Sequence, residues 1–200
     1  MLETQAKKIF DQAQKNFEEK NYTKAQKLWS EILNYYPKNL SVLRNLALAF
    51  YHDRSLENAV VMLKKIIEID KKEPRALVML VLTLEKQDKI DESKKYIDFG
   101  LRENILDKHW EIKKNLMIPT IFEDLEQIDE SRNCLLEYIQ EELDSNKKIT
   151  LDMDSQLIKP LQFNLSYNQY NNLEINKKCV KFFRKIYPQL NKTYHLKNIP

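Results

Sequence analysis

One glycine, Gly100, stands among the 200 residues, where ordinary usage supplies about 14. Loops that cradle phosphate need several glycines, because backbone amides must approach the anion closely. A P-loop or a dinucleotide-binding turn is therefore excluded. Two-residue β-hairpins also lean on glycine, which argues against an all-β fold. Cysteine is scarce as well: Cys134 and Cys179 lie too far apart for a metal motif and are too few for a disulfide framework. They read as reduced thiols on helix faces. His52, His109 and His195 are scattered, with no paired-ligand spacing. No apolar run nears the roughly 20 residues of a membrane span. The first residues, MLETQAKKIFDQAQ, are amphipathic and charged, unlike a secretory leader. The expectation is a cytoplasmic helical protein with no membrane contact, no metal and no cofactor.

Charge is abundant and uneven. Charged residues make up 32% of the chain and the net charge is +3. Residues 147–200 hold ten Lys/Arg against three Asp/Glu, while residues 1–146 hold 23 against 27. The two stretches are suited to different surroundings. Carboxylate pairs such as Glu18-Glu19 and Glu141-Glu142 read as solvated helix faces, and no nucleophile has an activating neighbour.

A 34-residue period organises the first half. Ala13, Ala25, Trp29, Ile32 and Pro37 are followed 34 residues on by Ala47, Ala59, Leu63, Ile66 and Lys71. Another 34 residues give Val81, Ser93, Ile97, Gly100 and Ile105. Small residues at two fixed positions let paired helices approach closely, and bulky ones fill the seam to the next pair. Helix pairs are predicted at 5–19/22–36, 39–52/55–70 and 74–87/90–104. Lys20-Asn21, Asp53-Arg54-Ser55 and Gln87-Asp88-Lys89 form the turns, and Pro37 and Pro74 mark unit boundaries.

These units resemble tetratricopeptide repeats, best in the first (Ala13, Phe17, Tyr22, Ala25, Trp29, Pro37) and least in the third. The resemblance implies an all-α solenoid of helix-turn-helix pairs, followed by a helical connector. The division expected is 1–107 for three repeats, 108–146 for a degenerate fourth, and 147–200 for a basic connector with one amphipathic helix. It also implies a concave face lined by the first helix of each pair, where a protein or peptide partner would sit. The inward positions are Lys7, Phe10, Asp11 and Gln14, then Ser41, Arg44, Asn45 and Leu48, then Arg75, Val78, Met79 and Leu82. Lys7, Asp11, Gln14, Ser41, Arg44, Asn45 and Arg75 are the polar candidates. Arg44 suits a carboxylate and Asn45 a peptide backbone. Val78, Met79 and Leu82 read as buried contacts with the following helices.

Beyond residue 107 the register slips. A fourth unit opens at Lys108-His109-Trp110, Pro119 interrupts its first helix, and a helix is predicted over 126–144. Asn146–Leu161 reads as loop, Phe163–Tyr167 as a short extended stretch, and about Leu173 to Tyr187 as an amphipathic helix. On that helix Lys177, Lys178, Lys181, Arg184 and Lys185 oppose Ile175, Cys179, Phe182, Phe183 and Ile186. Its aromatics share the apolar face, opposite the cations, which argues against a nucleic-acid surface.

The blocks Ile118-Pro119-Thr120-Ile121-Phe122…Glu126…Ile128…Arg132, Phe163-Asn164-Leu165-Ser166-Tyr167, Asn171-Asn172 and Pro188-Gln189-Leu190 resemble a particular junction. It is the one that joins repeats to catalytic domains in bacterial SPINDLY-type O-linked N-acetylglucosamine transferases. Asn168 and Gln169 stand where that family often has His-Gly. The resemblance implies a repeat arm that recognises acceptor proteins for sugar transfer to Ser or Thr. The nucleotide-sugar-binding domains would follow residue 200, so these residues are not expected to be catalytic alone. A free-standing repeat adaptor or scaffold is the alternative.

Overall fold

The computed structural model describes residues 3–146, 165 and 170–191. Among them the elements are nine α-helices and one 3-10 turn, with no strand. The chain divides into two compact units, the first ending at Leu106 and the second starting at Asp107.

The first unit is three helical hairpins: α1 (Glu3–Glu18) with α2 (Tyr22–Tyr35), α3 (Leu40–His52) with α4 (Leu56–Ile69), and α5 (Pro74–Lys86) with α6 (Ile90–Arg102). The helix starts keep the period, at 22, 56 and 90 for one set and at 40 and 74 for the other. Ala13, Ala25, Ala47, Ala59, Val81 and Ser93, the residues at the two small positions, are all fully buried. In the third unit Ser93 repairs its own polarity, because its hydroxyl donates to the Val81 carbonyl at 3.0 Å. Trp29 fills the seam between the first hairpin and α3, with Phe17 and Phe10 at 5.7 and 6.4 Å between ring centroids.

The turns within the hairpins keep the period too. Lys20, Arg54 and Asp88 each take a left-handed backbone, with φ of 63°, 62° and 60°. Behind each, an amide reaches back to the helix end: Asn21 to the Asn16 carbonyl, Ser55 to Phe50, and Lys89 to Leu84, at 2.8–3.0 Å. This is the closing bond that a left-handed residue permits at a helix C-terminus, a place where glycine is usual. Asn104, with φ 55°, ends α6 the same way. The scarcity of glycine has thus not removed the tight turns; other residues carry their strain. Gly100 serves packing instead. A Cβ there would lie 2.6 Å from Leu106 Cγ and 2.8 Å from Leu77 Cδ2.

Capping residues also recur. Asn39 Oδ1 accepts from the Val42 amide at 3.1 Å, and Glu73 Oε2 from the Ala76 amide at 2.6 Å. Asp107, the next residue in that register, accepts from the His109 amide at 2.9 Å. The period fails elsewhere. Gln26 bonds Asp53 at 3.1 Å, but 34 residues on the pair becomes Val60 and Gln87. The Gln87 amide is left buried without a hydrogen-bond partner among the described residues.

The second unit holds α7 (His109–Leu116), α8 (Leu125–Asp144) and α9 (Leu173–Ile186), then a 3-10 turn, Pro188–Asn191. α7 stops before Pro119, as that residue requires. Asp124 caps α8 by accepting from the Gln127 amide at 2.8 Å, and Gln127 Oε1 in turn accepts from the Glu123 amide at 2.8 Å. One core joins Ile112, Leu116, Leu135, Ile139, Leu165, Ile175, Cys179, Phe182 and Ile186. α8 and α9 run parallel, since Arg132 meets Asn172 near one end and Lys185 meets Glu142 near the other. The loop expected over Asn146–Leu161 lies outside the described residues after Asn146. Of the extended stretch expected at Phe163–Tyr167 only Leu165 is described, and it is helical and buried.

Candidate functional site

The first helices of the hairpins, α1, α3 and α5, carry every candidate site residue. Between α3 and α5 lies an open hollow of about 460 Å³, lined by Leu48, Tyr51, His52, Pro74, Arg75, Val78, Met79 and Leu82. Leu48, Val78, Met79 and Leu82 are half-buried. The last three were expected as buried packing; the structure makes them the floor of the hollow. Spacing explains the set, because positions 75, 78, 79 and 82 share one helix face, as do 48, 51 and 52.

A second hollow, of about 490 Å³, lies where α1, α2 and α3 meet. Lys7, Phe10, Ile32, Tyr36 and Val42 are among its lining residues. Lys7 therefore faces different neighbours from Arg75. Asp11 and Ser41 are exposed. The Gln14 amide is spent on Glu18, at 3.0 Å.

Arg44 finds a carboxylate within the chain. Its Nη2 donates to Glu73 Oε1 at 2.9 Å, and the other Glu73 oxygen caps α5. One acidic residue thus ties α3 to the start of α5, a pairing across 29 residues that sequence spacing does not reveal. Arg44 Nε is buried with no hydrogen-bond partner among the described residues. Asn45 is half-buried, and its side chain makes no hydrogen bond to the described residues; Arg75 is exposed and likewise makes no ion pair with them. At the far end of the hollow Lys86 Nζ sits 4.4 Å from the Tyr51 ring centroid. His52 stacks on Tyr22 at 5.5 Å and meets Phe17 and Tyr51 edge-on at 5.7 and 5.8 Å. Sequence reasoning missed Lys86 at this end. The available signal was its place one period after His52.

In the second unit four residues of the junction pattern, Arg132, Leu165, Asn171 and Asn172, are linked by hydrogen bonds. The Arg132 guanidinium bonds Asn172 Oδ1 and, at 3.4 Å, the Asn171 carbonyl. It also lies 4.8 Å from the Tyr170 ring centroid. Asn172 in turn donates to the Leu165 carbonyl at 2.8 Å. A hydrogen bond to Asp129 raises the Tyr170 pKa above its ordinary value. The basic face of α9 is narrower than its sequence implies. Lys185 turns inward, and its ammonium bonds the carbonyls of Glu142, Leu143 and Ser145, the last at 2.6 Å. It thereby caps the C-terminus of α8. Lys177, Lys181 and Arg184 remain exposed.

No family model matches the sequence, and no curated protein sequence matches it either. Solved structures do. The MamA protein is 13% identical with a TM-score of 0.52, over 98% of this chain and 98% of that one. That match, together with the three hairpins at constant period, settles the architecture. The fold is an all-α tetratricopeptide-repeat solenoid. The repeat domain of Sgt2 from Aspergillus fumigatus is 18% identical at a TM-score of 0.44, over 76% of this chain and 89% of its own. The first such domain of Spaghetti, solved with the HSP90 peptide SRMEEVD, is 14% identical at 0.46, over 69% and 96%. None of the helices in the described residues is long and apolar enough to cross a membrane.

Proposed function

We propose that the repeats capture an extended segment of a partner protein along α3 and α5. The observation that carries this reading is the open hollow with, on one bordering helix, an Asn45 amide that bonds none of the described residues. A carboxamide offers both a donor and an acceptor, which matches the two polar groups of a peptide unit. Those groups are free in an extended chain and already used in a helix. Capture on an array of end-blocked peptides tests the reading. Asn45→Ala is expected to reduce capture broadly, across sequences, while helicity stays unchanged. Capture that ignores this substitution would falsify the groove assignment.

At a finer level, the reading is that the captured partner is an acceptor protein, and that these residues are the recognition arm of a SPINDLY-like glycosyltransferase. The convergence of Arg132, Leu165 and Asn171-Asn172 supports it, because residues from three blocks of the junction pattern form one hydrogen-bonded cluster. The sugar transfer to Ser or Thr would belong to domains outside these residues. The free-standing adaptor is the second reading, favoured by a groove that needs nothing beyond the repeats. Immunoblotting of the native polypeptide separates the two. A species well above 24.1 kDa that carries nucleotide-sugar transfer activity is expected for the arm. A species of that mass without such activity supports the adaptor.

A further inference from the structure

We infer that the hollow between α3 and α5 selects an extended segment with an apolar residue flanked by acidic residues two positions away on each side. This rests on the peptide-capture reading and names the chemistry of its ligand. Leu48, Val78, Met79 and Leu82 give the hollow an apolar floor, and none of its lining residues is a carboxylate. Glu73, at the start of α5, is already held by Arg44. A cation stands at each end of the hollow. Arg75, in the first turn of α5, lines one end and is exposed. Lys86, the last residue of α5, stands over Tyr51 at the other end, beside His52.

Eleven residues of α-helix separate Arg75 from Lys86, a rise of about 16 Å. The first and fifth residues of an extended chain lie about 13–14 Å apart, and the long, flexible Arg75 and Lys86 side chains close the remainder. In an extended chain the first, third and fifth residues face the same way. One acidic side chain therefore meets each cationic end while the apolar residue between them enters the floor. Asn45, three residues before Leu48 on the same face of α3, offers its amide to peptide groups that an extended segment has free and a helix has not.

The test is fluorescence anisotropy of the full chain with labelled peptides, acetylated and amidated so that no terminal charge contributes. The core Glu-Ser-Leu-Ser-Glu is compared with Lys-Ser-Leu-Ser-Lys and Glu-Ser-Ser-Ser-Glu. The first is expected to bind at least about tenfold more tightly than either of the others. Its affinity should fall as salt is raised, as charge pairing at an exposed rim requires. Arg75→Glu with Lys86→Glu changes only exposed ends and should reverse the preference toward the lysine peptide, with the circular dichroism unchanged. Equal binding of the acidic and basic peptides, or a preference untouched by the double variant, overturns the inference. If Asn45→Ala still weakens such indifferent binding, peptide capture itself stands. Failure of all three peptides to bind overturns both.

Discussion

Single residues carry the constraints that glycine usually carries. Arg54 is exposed and held at φ 62°, where an L-residue is strained by about 1–2 kcal/mol. Arg54→Gly is therefore expected to raise stability by about 1 kcal/mol, part of the relief being offset by the freer unfolded chain. Thermal unfolding checks this, and a lowered midpoint would refute the strain. Gly100→Ala should go the other way. Alanine is the better helix former by about 1 kcal/mol, but its methyl would press into Leu106 and Leu77. Overpacking of that kind costs about 1–3 kcal/mol, so a lower unfolding midpoint is predicted, and a gain would show that the two leucines yield freely. At this scale the sequence was partly legible. The turns at Lys20, Arg54 and Asp88 stand out by local chemistry, yet their left-handed backbone has no glycine to announce it. Arg44 looks free in sequence because its partner, Glu73, comes from the next repeat.

Between elements, the second unit is held by contacts across long sequence gaps. Lys185 caps α8 from α9. Lys185→Met keeps the stem and removes the ammonium, leaving the last carbonyls of α8 without their donor. A loss of about 1–3 kcal/mol is expected, the usual range for a hydrogen bond to a charged group. Denaturant unfolding of this variant reads it, and an unchanged midpoint would mean that solvent caps the helix equally well. Tyr138 on α8 supplies a pH prediction. Burial holds its hydroxyl neutral well above the ordinary tyrosine pKa of 10.0, with nearby Glu142 acting in the same direction. The folded chain keeps this proton while the unfolded chain has begun to lose it, so stability falls as pH rises past about 10. Tyr138→Phe should flatten that alkaline decline in thermal melts; an equally steep decline would assign it to other groups. The helices at 126–144 and 173–187 were legible from periodicity to within a residue of α8 and α9. Their shared core was not, because apolar spacing names a buried face without naming what covers it.

For the molecule as a whole, repetition is the organising fact. Helix starts, left-handed turns and capping residues all return at 34-residue intervals. Repeats of this kind build a groove from equivalent helices, so candidate positions could be projected before any coordinates. Where α3 and α5 adjoin, the projected positions Leu48, Arg75, Val78, Met79 and Leu82 line one hollow. The projection was less informative around α1, where Gln14 is engaged locally and Lys7 lines a separate hollow. The most direct measurement of the central claim is an amide chemical-shift titration of the isotopically labelled full chain with the Glu-Ser-Leu-Ser-Glu peptide. The account predicts saturable shifts clustered at Asn45, Leu48, Tyr51, Arg75, Met79 and Lys86. Shifts confined to α4, α6 or the exposed face of α9 would contradict it, and would place partner binding outside the groove.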